Sequence, residues 1–224
     1  MDSLKLARMI DHTNLKRDVT NEKMLKTIEE CKKYHFHTIA VNSCQSKFCS
    51  ENLKGTDTFI SAAIGFPLGQ TTIEAKLFET RNAIENGATE IDYVINVGEV
   101  KNGNYEYFES EMKQMTELCH SYKVPVKAIL ECNYLSKEEL SKLCELSLKY
   151  MPDFLKTSTG FESVATVEDV KLMKSIVKDK IEIKAAGGIK TLEQLLMFYE
   201  AGATRFGTSS SIAIMEENNK VLWK

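Results

Sequence analysis

Two short runs in the C-terminal half of the chain each set a lysine against glycine-rich sequence. They are Phe154-Leu155-Lys156-Thr157-Ser158-Thr159-Gly160 and Ile181-Glu182-Ile183-Lys184-Ala185-Ala186-Gly187-Gly188. Read as strands, they place Phe154, Lys156 and Ser158 on one face of the first, and Glu182 and Lys184 opposite Ile181 and Ile183 in the second. If helices cover the isoleucine face, both lysines enter one interior from successive strands. A single lysine at a strand end is explained by reaching into solvent or pairing with an acid. Two on adjacent strands, each followed by glycine, point instead to a shared pocket. Burial disfavours the ammonium form and a second cation disfavours it further, which drives one lysine toward the neutral amine. A neutral amine adds to a carbonyl carbon, the first step of Schiff-base catalysis.

Other strand-like runs carry groups able to serve that amine. In Glu90-Ile91-Asp92-Tyr93-Val94-Ile95-Asn96, Asp92 alternates with Ile91 and Tyr93 and is expected to face inward. There it can move protons through a water or pair with Lys184 or Lys127. Lys127, Ile129 and Glu131 share a face of the next run, so a further lysine–glutamate pair is expected if that face is the inner one. Asp11 and Thr13 share a face of the first run and are further candidates for the pocket.

The last two strand-like runs are followed by Gly187-Gly188-Ile189-Lys190 and Gly207-Thr208-Ser209-Ser210-Ser211. Their glycines allow backbone N–H groups close to an anion, and a helix starting after Ser209 adds its positive end. Gly160 offers one more N–H. One Gly-Gly alone marks only a turn; two such loops side by side indicate an anion site. A phosphorylated carbonyl substrate fits this combination, with no metal and no cofactor required. The histidines His12, His35, His37 and His120 form no zinc-like cluster, and His35 and His37 are expected at the surface.

These groups need a frame that brings distant strand ends together. The chain has 224 residues, 43% hydrophobic and 27% charged, without a low-complexity linker, which suits a single domain over residues 1–224. Short apolar runs alternate with amphipathic stretches, the pattern of βα units. Expected strands are Arg8 to Thr13, Thr38 to Asn42, Phe59 to Gly65, Glu90 to Asn96, Val126 to Glu131, Phe154 to Ser158, Ile181 to Ala185 and Thr204 to Gly207. Thr191 to Glu200 reads as a helix with Leu192, Leu195, Leu196 and Tyr199 on one face. Asn86-Gly87-Ala88-Thr89 and Ala201-Gly202-Ala203-Thr204 repeat one helix–glycine–strand joint. Eight such strands give the expected fold class, an α/β (β/α)₈ TIM barrel whose functional groups stand at the C-terminal strand ends. The alternative, an open doubly wound sheet, lacks its G-x-G-x-x-G turn.

The net charge of −3, with both signs interspersed, gives no basic face for nucleic acid. No apolar run has the length of a membrane span, and Met1 to Ile10 does not read as a signal peptide. Cys31, Cys44, Cys49, Cys119, Cys132 and Cys144 make neither a C-x-x-C pair nor a zinc spacing, and are expected to be reduced thiols of a cytoplasmic protein; the role of Cys44 stays open. The tail from Glu216 to Lys224 is polar apart from Val221, Leu222 and Trp223. The sequence leaves it open between docking on the barrel, joining an interface and hanging loose.

Six segments, in order, resemble the deoxyribose-phosphate aldolase family over nearly the whole chain. They are Ile10-Asp11-His12-Thr13, Ile64-Gly65-Phe66-Pro67-Leu68-Gly69, Glu90-Ile91-Asp92, Phe154 to Phe161, Lys184-Ala185-Ala186-Gly187-Gly188 and Gly202 to Ser210. The resemblance implies a (β/α)₈ barrel and a carbon–carbon lyase. It implies cleavage of 2-deoxy-D-ribose 5-phosphate to D-glyceraldehyde 3-phosphate and acetaldehyde, and a homodimer. It implies Lys156 as the Schiff-base residue, Lys184 as its activator and Asp92 in the proton relay. Gly187, Gly188, Ser209 and Ser210 match its phosphate-binding positions. Three features depart from the family pattern. Lys190 replaces a common arginine and loses the bidentate fork. Ser211 replaces a smaller residue. Phe161 to Thr166 is short, with Glu162 close to the expected phosphate loop. The rival readings are another lysine aldolase acting on a different phosphorylated carbonyl compound, and a barrel that only binds sugar phosphate.

Overall fold

The computed structural model describes residues 1–222. A short helix, α1 (Ser3–Ala7), leads into β1 (Ile10–Asn14). Then follow α2 (Asn21–Tyr34), β2 (Thr38–Asn42), α3 (Ser46–Asn52), β3 (Phe59–Ile64), α4 (Ile73–Glu85) and β4 (Glu90–Val94). The second half continues with α5 (Val97–Lys101), α6 (Tyr105–Ser121), β5 (Val126–Ile129), α7 (Lys137–Ser147) and β6 (Phe154–Lys156). It ends with α8 (Val167–Val177), β7 (Glu182–Ala186), α9 (Leu192–Glu200), β8 (Arg205–Thr208) and α10 (Ser211–Leu222). The strands are parallel and neighbour one another in chain order, and β8 pairs back onto β1, so the sheet is a closed barrel. Closure rules out the open sheet and leaves no unpaired strand edge.

Helix starts follow the sequence closely. Thr191 caps α9 in a reciprocal box with Gln194, as its spacing predicts, and Ser136 does the same for α7 with Glu139. Gly87 and Gly202 both have positive φ at the repeated joint. Strand ends are less exact. The first strand begins at Ile10, because Arg8 still ends α1, and the sixth stops at Lys156. The fourth stops at Val94, because the Asn96 side chain accepts from Glu99 N–H and starts α5.

The core lies between strands and helices. Outward residues such as Ile91, Val126, Leu155, Ile183 and Phe206 pack with Met112, Leu143, Val170 and Leu195 from the helices, all fully buried. The tail docks on its own barrel: Asn218 of α10 is buried, its side-chain amide donating to Met1 O at 3.0 Å and to Ser3 Oγ at 3.2 Å. Trp223 and Lys224 lie outside the described residues. No described helix is long and apolar enough to cross a membrane.

Inside, the barrel is charged. At its base Glu90 pairs with Lys127 at 2.5 Å and with Arg205 at 3.3 Å, and Arg205 also reaches Asp11 at 3.0 Å. His37, expected at the surface, is largely buried and hydrogen-bonds Glu90 Oε1 at 3.0 Å; His35 is exposed. Removing one member of a buried ion cluster strands its partners without water. Glu90→Gln is therefore expected to destabilise the fold by about 3 kcal/mol. Urea unfolding reads this as a lower midpoint at unchanged slope.

Candidate active site

A cavity of about 1050 Å³ opens at the C-terminal ends of the strands. Lys156 and Asp92 stand at its floor with Ser61 of β3, a polar residue in an otherwise apolar run. Strand register places these groups together. Lys156 pairs with Lys184 across β6 and β7, and Asp92 pairs with Lys127 across β4 and β5. The Asp92 carboxylate bridges them all. Oδ2 accepts from Lys156 Nζ at 2.8 Å and from Lys184 Nζ at 2.6 Å, while Oδ1 accepts from Ser61 Oγ at 2.7 Å and meets Lys127 Nζ at 2.9 Å. Lys184 also meets Asp11 at 2.5 Å and is itself fully buried beneath the cavity. Both lysine partners offered for Asp92 by the sequence, Lys184 and Lys127, are thus present at once.

Among the described residues the interior holds four buried cations, Lys127, Lys156, Lys184 and Arg205, against three buried carboxylates, Asp11, Glu90 and Asp92. Burial would raise the pKa of Asp92, but Lys127, Lys156 and Lys184 hold it well below the usual carboxylate range. Lys127 is held protonated: burial opposes its charge, and Asp92 and Glu90 more than restore it. The surplus falls on Lys156, whose amine is pushed down to about 8. Burial is the largest cause; Asp92 pulls the value back up, and Lys184 then lowers it again. Lys184 is thus a contributor to the depressed pKa rather than its main source.

The glycine loops meet over this floor. Gly187 has φ +94°, and a Cβ there would come within 2.8 Å of Ser163 O; a Cβ on Gly160 would stand 3.2 Å from Gly187 Cα. Only glycine lets the loops after β6 and β7 close on each other this way. Ala165 N–H then donates to Gly187 O at 3.1 Å. Gly188, Lys190, Gly207, Ser209 and Ser210 also line the cavity, with Ser209 and Lys190 exposed to it. Gly207 has a second reason to lack a side chain: a Cβ would sit 3.2 Å from Cε of Lys184.

Not every expected group reaches the cavity. Thr13 lines it, its hydroxyl donating to Asp11 O at 2.9 Å. Asp11 and Lys127 do not line it; both are fully buried in the charged base, where they hold Lys184 and Asp92 instead of facing a substrate. Nor does Lys127 pair with Glu131. That residue turns into the left-handed region at φ 55°, past the end of β5, where its carboxylate accepts from Thr159 N–H and from Ser163 Oγ at 2.8 Å. Glu131 thereby shapes the loop bearing Gly160. Glu162 is not part of the lining; it is exposed and accepts from the Tyr134 hydroxyl at 3.0 Å.

Several lining residues escape sequence reasoning. Ser61 had a usable signal, a hydroxyl at an inward position of an apolar strand. His12 and Glu30 did not, because their contact spans β1 and α2. The rim cations Lys16, Arg17, Lys23 and Lys26 come from the loop after β1 and the start of α2 and look, in sequence, like an ordinary solvated run. Of the cysteines, only Cys44 is exposed, and none is in a disulfide.

A family model for DeoC/LacD family aldolases matches residues 5–216 of the chain. A deoxyribose-phosphate aldolase of Lactobacillus acidophilus is 55% identical over 211 residues, covering 94% of this chain and 89% of that protein. One from Thermococcus kodakarensis is 44% identical over 219 residues, covering 96% and 98%. Among solved structures, the deoxyribose phosphate aldolase of Aeropyrum pernix, described as tetrameric, superposes with a TM-score of 0.91 at 30% identity, covering 99% of this chain and 94% of that one.

The Lys156 pKa makes a test with a definite sign. Only the neutral amine condenses, so capture of a carbonyl compound should rise tenfold per pH unit below about 8 and level off above it. At pH 7 an amine of this pKa is neutral roughly 300 times more often than an ordinary lysine. Lys184→Met removes a neighbouring cation and is expected to move the inflection to higher pH, read as the rate of borohydride-trapped adduct against pH.

Proposed function

The chain belongs to the DeoC/LacD family of aldolases, and on that footing we propose that it cleaves 2-deoxy-D-ribose 5-phosphate to D-glyceraldehyde 3-phosphate and acetaldehyde, with Lys156 as its Schiff-base nucleophile. The observation that carries the reading is a buried lysine at the cavity floor, hydrogen-bonded to a carboxylate, whose amine is pushed down to about 8. In the open-chain sugar, neutral Lys156 Nζ adds to the C1 aldehyde, and loss of water leaves an iminium. A base takes the C3 hydroxyl proton, the C2–C3 bond breaks, and its electron pair passes to the iminium, giving a neutral enamine and glyceraldehyde 3-phosphate. Protonation of the enamine carbon and hydrolysis release acetaldehyde.

Charge favours the bond-breaking step at this site. The iminium keeps the interior one cation in surplus, and the enamine restores balance, so the protein field favours electron flow into the nitrogen. Asp92 is held as a carboxylate by its three lysines, which suits it to orienting the amine and passing protons through a water. Gly160, Gly187, Gly188, Ser209 and Ser210 are assigned to the phosphate, with Lys190 at the rim. The family resemblance and the six free thiols support a cytoplasmic enzyme, and the resemblance supports a homodimer. Sedimentation separates a dimer from the tetramer described for the Aeropyrum relative.

Borohydride reduction in the presence of acetaldehyde, followed by peptide mapping, is expected to place a stable adduct on Lys156 and to leave Lys156→Ala protein unlabelled. Labelling of the alanine variant, or none of the wild type, would remove the aldolase reading. Turnover of deoxyribose 5-phosphate measured beside other sugar phosphates then fixes the substrate.

A further inference from the structure

Behind the last glycine loop, three polar side chains join β1, α2 and α10. The His12 ring is buried, with Nε2 2.9 Å from Glu30 Oε2 and Nδ1 3.0 Å from Ser211 Oγ. Ser211 is the first residue of α10, is itself fully buried, and its hydroxyl also lies 3.0 Å from Thr208 O. Phe36 packs beside the imidazole at a centroid distance of 5.0 Å. The order of acid, imidazole and hydroxyl is that of a hydrolytic triad. Here, however, the hydroxyl is closed off from the cavity and engaged with a backbone carbonyl, so it has no substrate to attack.

The donor and acceptor balance points to another use. A carboxylate only accepts, so Nε2 carries the proton toward Glu30, and a neutral ring turns its Nδ1 lone pair to Ser211. The one Ser211 hydroxyl proton then faces two acceptors at equal distance, Nδ1 and Thr208 O. Its rotation is confined to those two positions: one ties the start of α10 to the turn Thr208–Ser210, and the other ties Ser211, the residue that follows that turn, to His12 of β1. Thr208 Oγ1 in turn accepts from Ser210 N–H at 2.9 Å, which fixes one of the loop's own donors.

We propose that His12 is a positioning residue: acting through Ser211, it holds the Thr208–Ser210 turn and the first turn of α10 in the conformation that grips the substrate phosphate. The proposal rests on the assignment of that loop to phosphate. Glu30 anchors the ring from α2, so the grip depends on a contact between the first and last βα units of the barrel. Ser211 is the residue that completes the link.

The test compares kcat/KM for 2-deoxyribose 5-phosphate with that for 2-deoxyribose. Wild-type protein is expected to favour the phosphorylated sugar strongly. His12→Phe keeps the ring packing but loses both hydrogen bonds, and is expected to lower that preference about tenfold, chiefly through KM. Ser211→Ala breaks the same link from the other side and should do likewise. The double variant should lose no more than either single one, because both remove one interaction. His12→Asn sets an amide where Nδ1 stood and is expected to restore most of the preference. A preference unchanged within about twofold in both single variants, or losses that multiply in the double variant, would overturn the proposal. Equal handling of the two sugars by wild-type protein would instead show that the loop does not bind phosphate, and the proposal would fall with that reading. If His12→Phe does not fold, Ser211→Ala decides alone.

Discussion

Among the described residues the barrel encloses four buried cations and three buried carboxylates, and most of the site follows from that imbalance. In water one unpaired charge is of little consequence. In a closed interior it must be held by the field of its neighbours or be given up as a proton. Arg205 cannot give up its proton at any relevant pH, and Lys127 has two carboxylates within 3 Å. Lys184 lies between Asp11 and Asp92. Lys156 has Asp92 alone, already shared, and opens on the cavity. The proton is therefore weakly held on the lysine best placed to use its lone pair.

The same imbalance separates two kinds of residue that look alike in a list of charged positions. Lys156 and Asp92 face the cavity. Asp11, Lys127, Glu90 and Arg205 form the base that sets their charge and position, out of reach of any substrate. Those base groups are costly to bury, and they persist as a cluster because each is paired. Catalysis and fold stability meet here: the ion pairs that close the bottom of the barrel also decide which amine at the top is pushed toward the neutral form.

Around the floor, position comes from close approach. Gly160 and Gly187 bring two loops within contact of each other, and Gly207 leaves room for the Lys184 stem. Barrel closure between β1 and β8 then brings His12 to Ser211 across almost the full length of the chain. An open sheet with the same strands would separate these residues and leave the last loop unsupported.

How much of this is legible in the sequence depends on the range over which each feature is set. Strand parity put Lys156, Lys184 and Asp92 inside, Thr191 and Gln194 marked a helix start, and the glycine motifs marked the loops and the family, because these are properties of a few adjacent residues. Strand ends were misjudged by one or two positions where a cap, as at Asn96, competed with the ladder. Parity shows only that Asp11, Lys127 and Glu131 can face inward; it carries no height along the barrel axis, so it does not separate Asp11 and Lys127 of the base from the cavity groups or show that Glu131 lies past the end of its strand. Height is set by the stagger of eight strands against one another, which belongs to the closed sheet. The sequence by itself determined that Lys156, Lys184 and Asp92 enter the barrel and what chemistry they can do. The tertiary structure alone decided how many charges share that interior, which amine yields its proton, and that His12 stands behind the last loop, because electrostatic balance and closure depend on every strand at once.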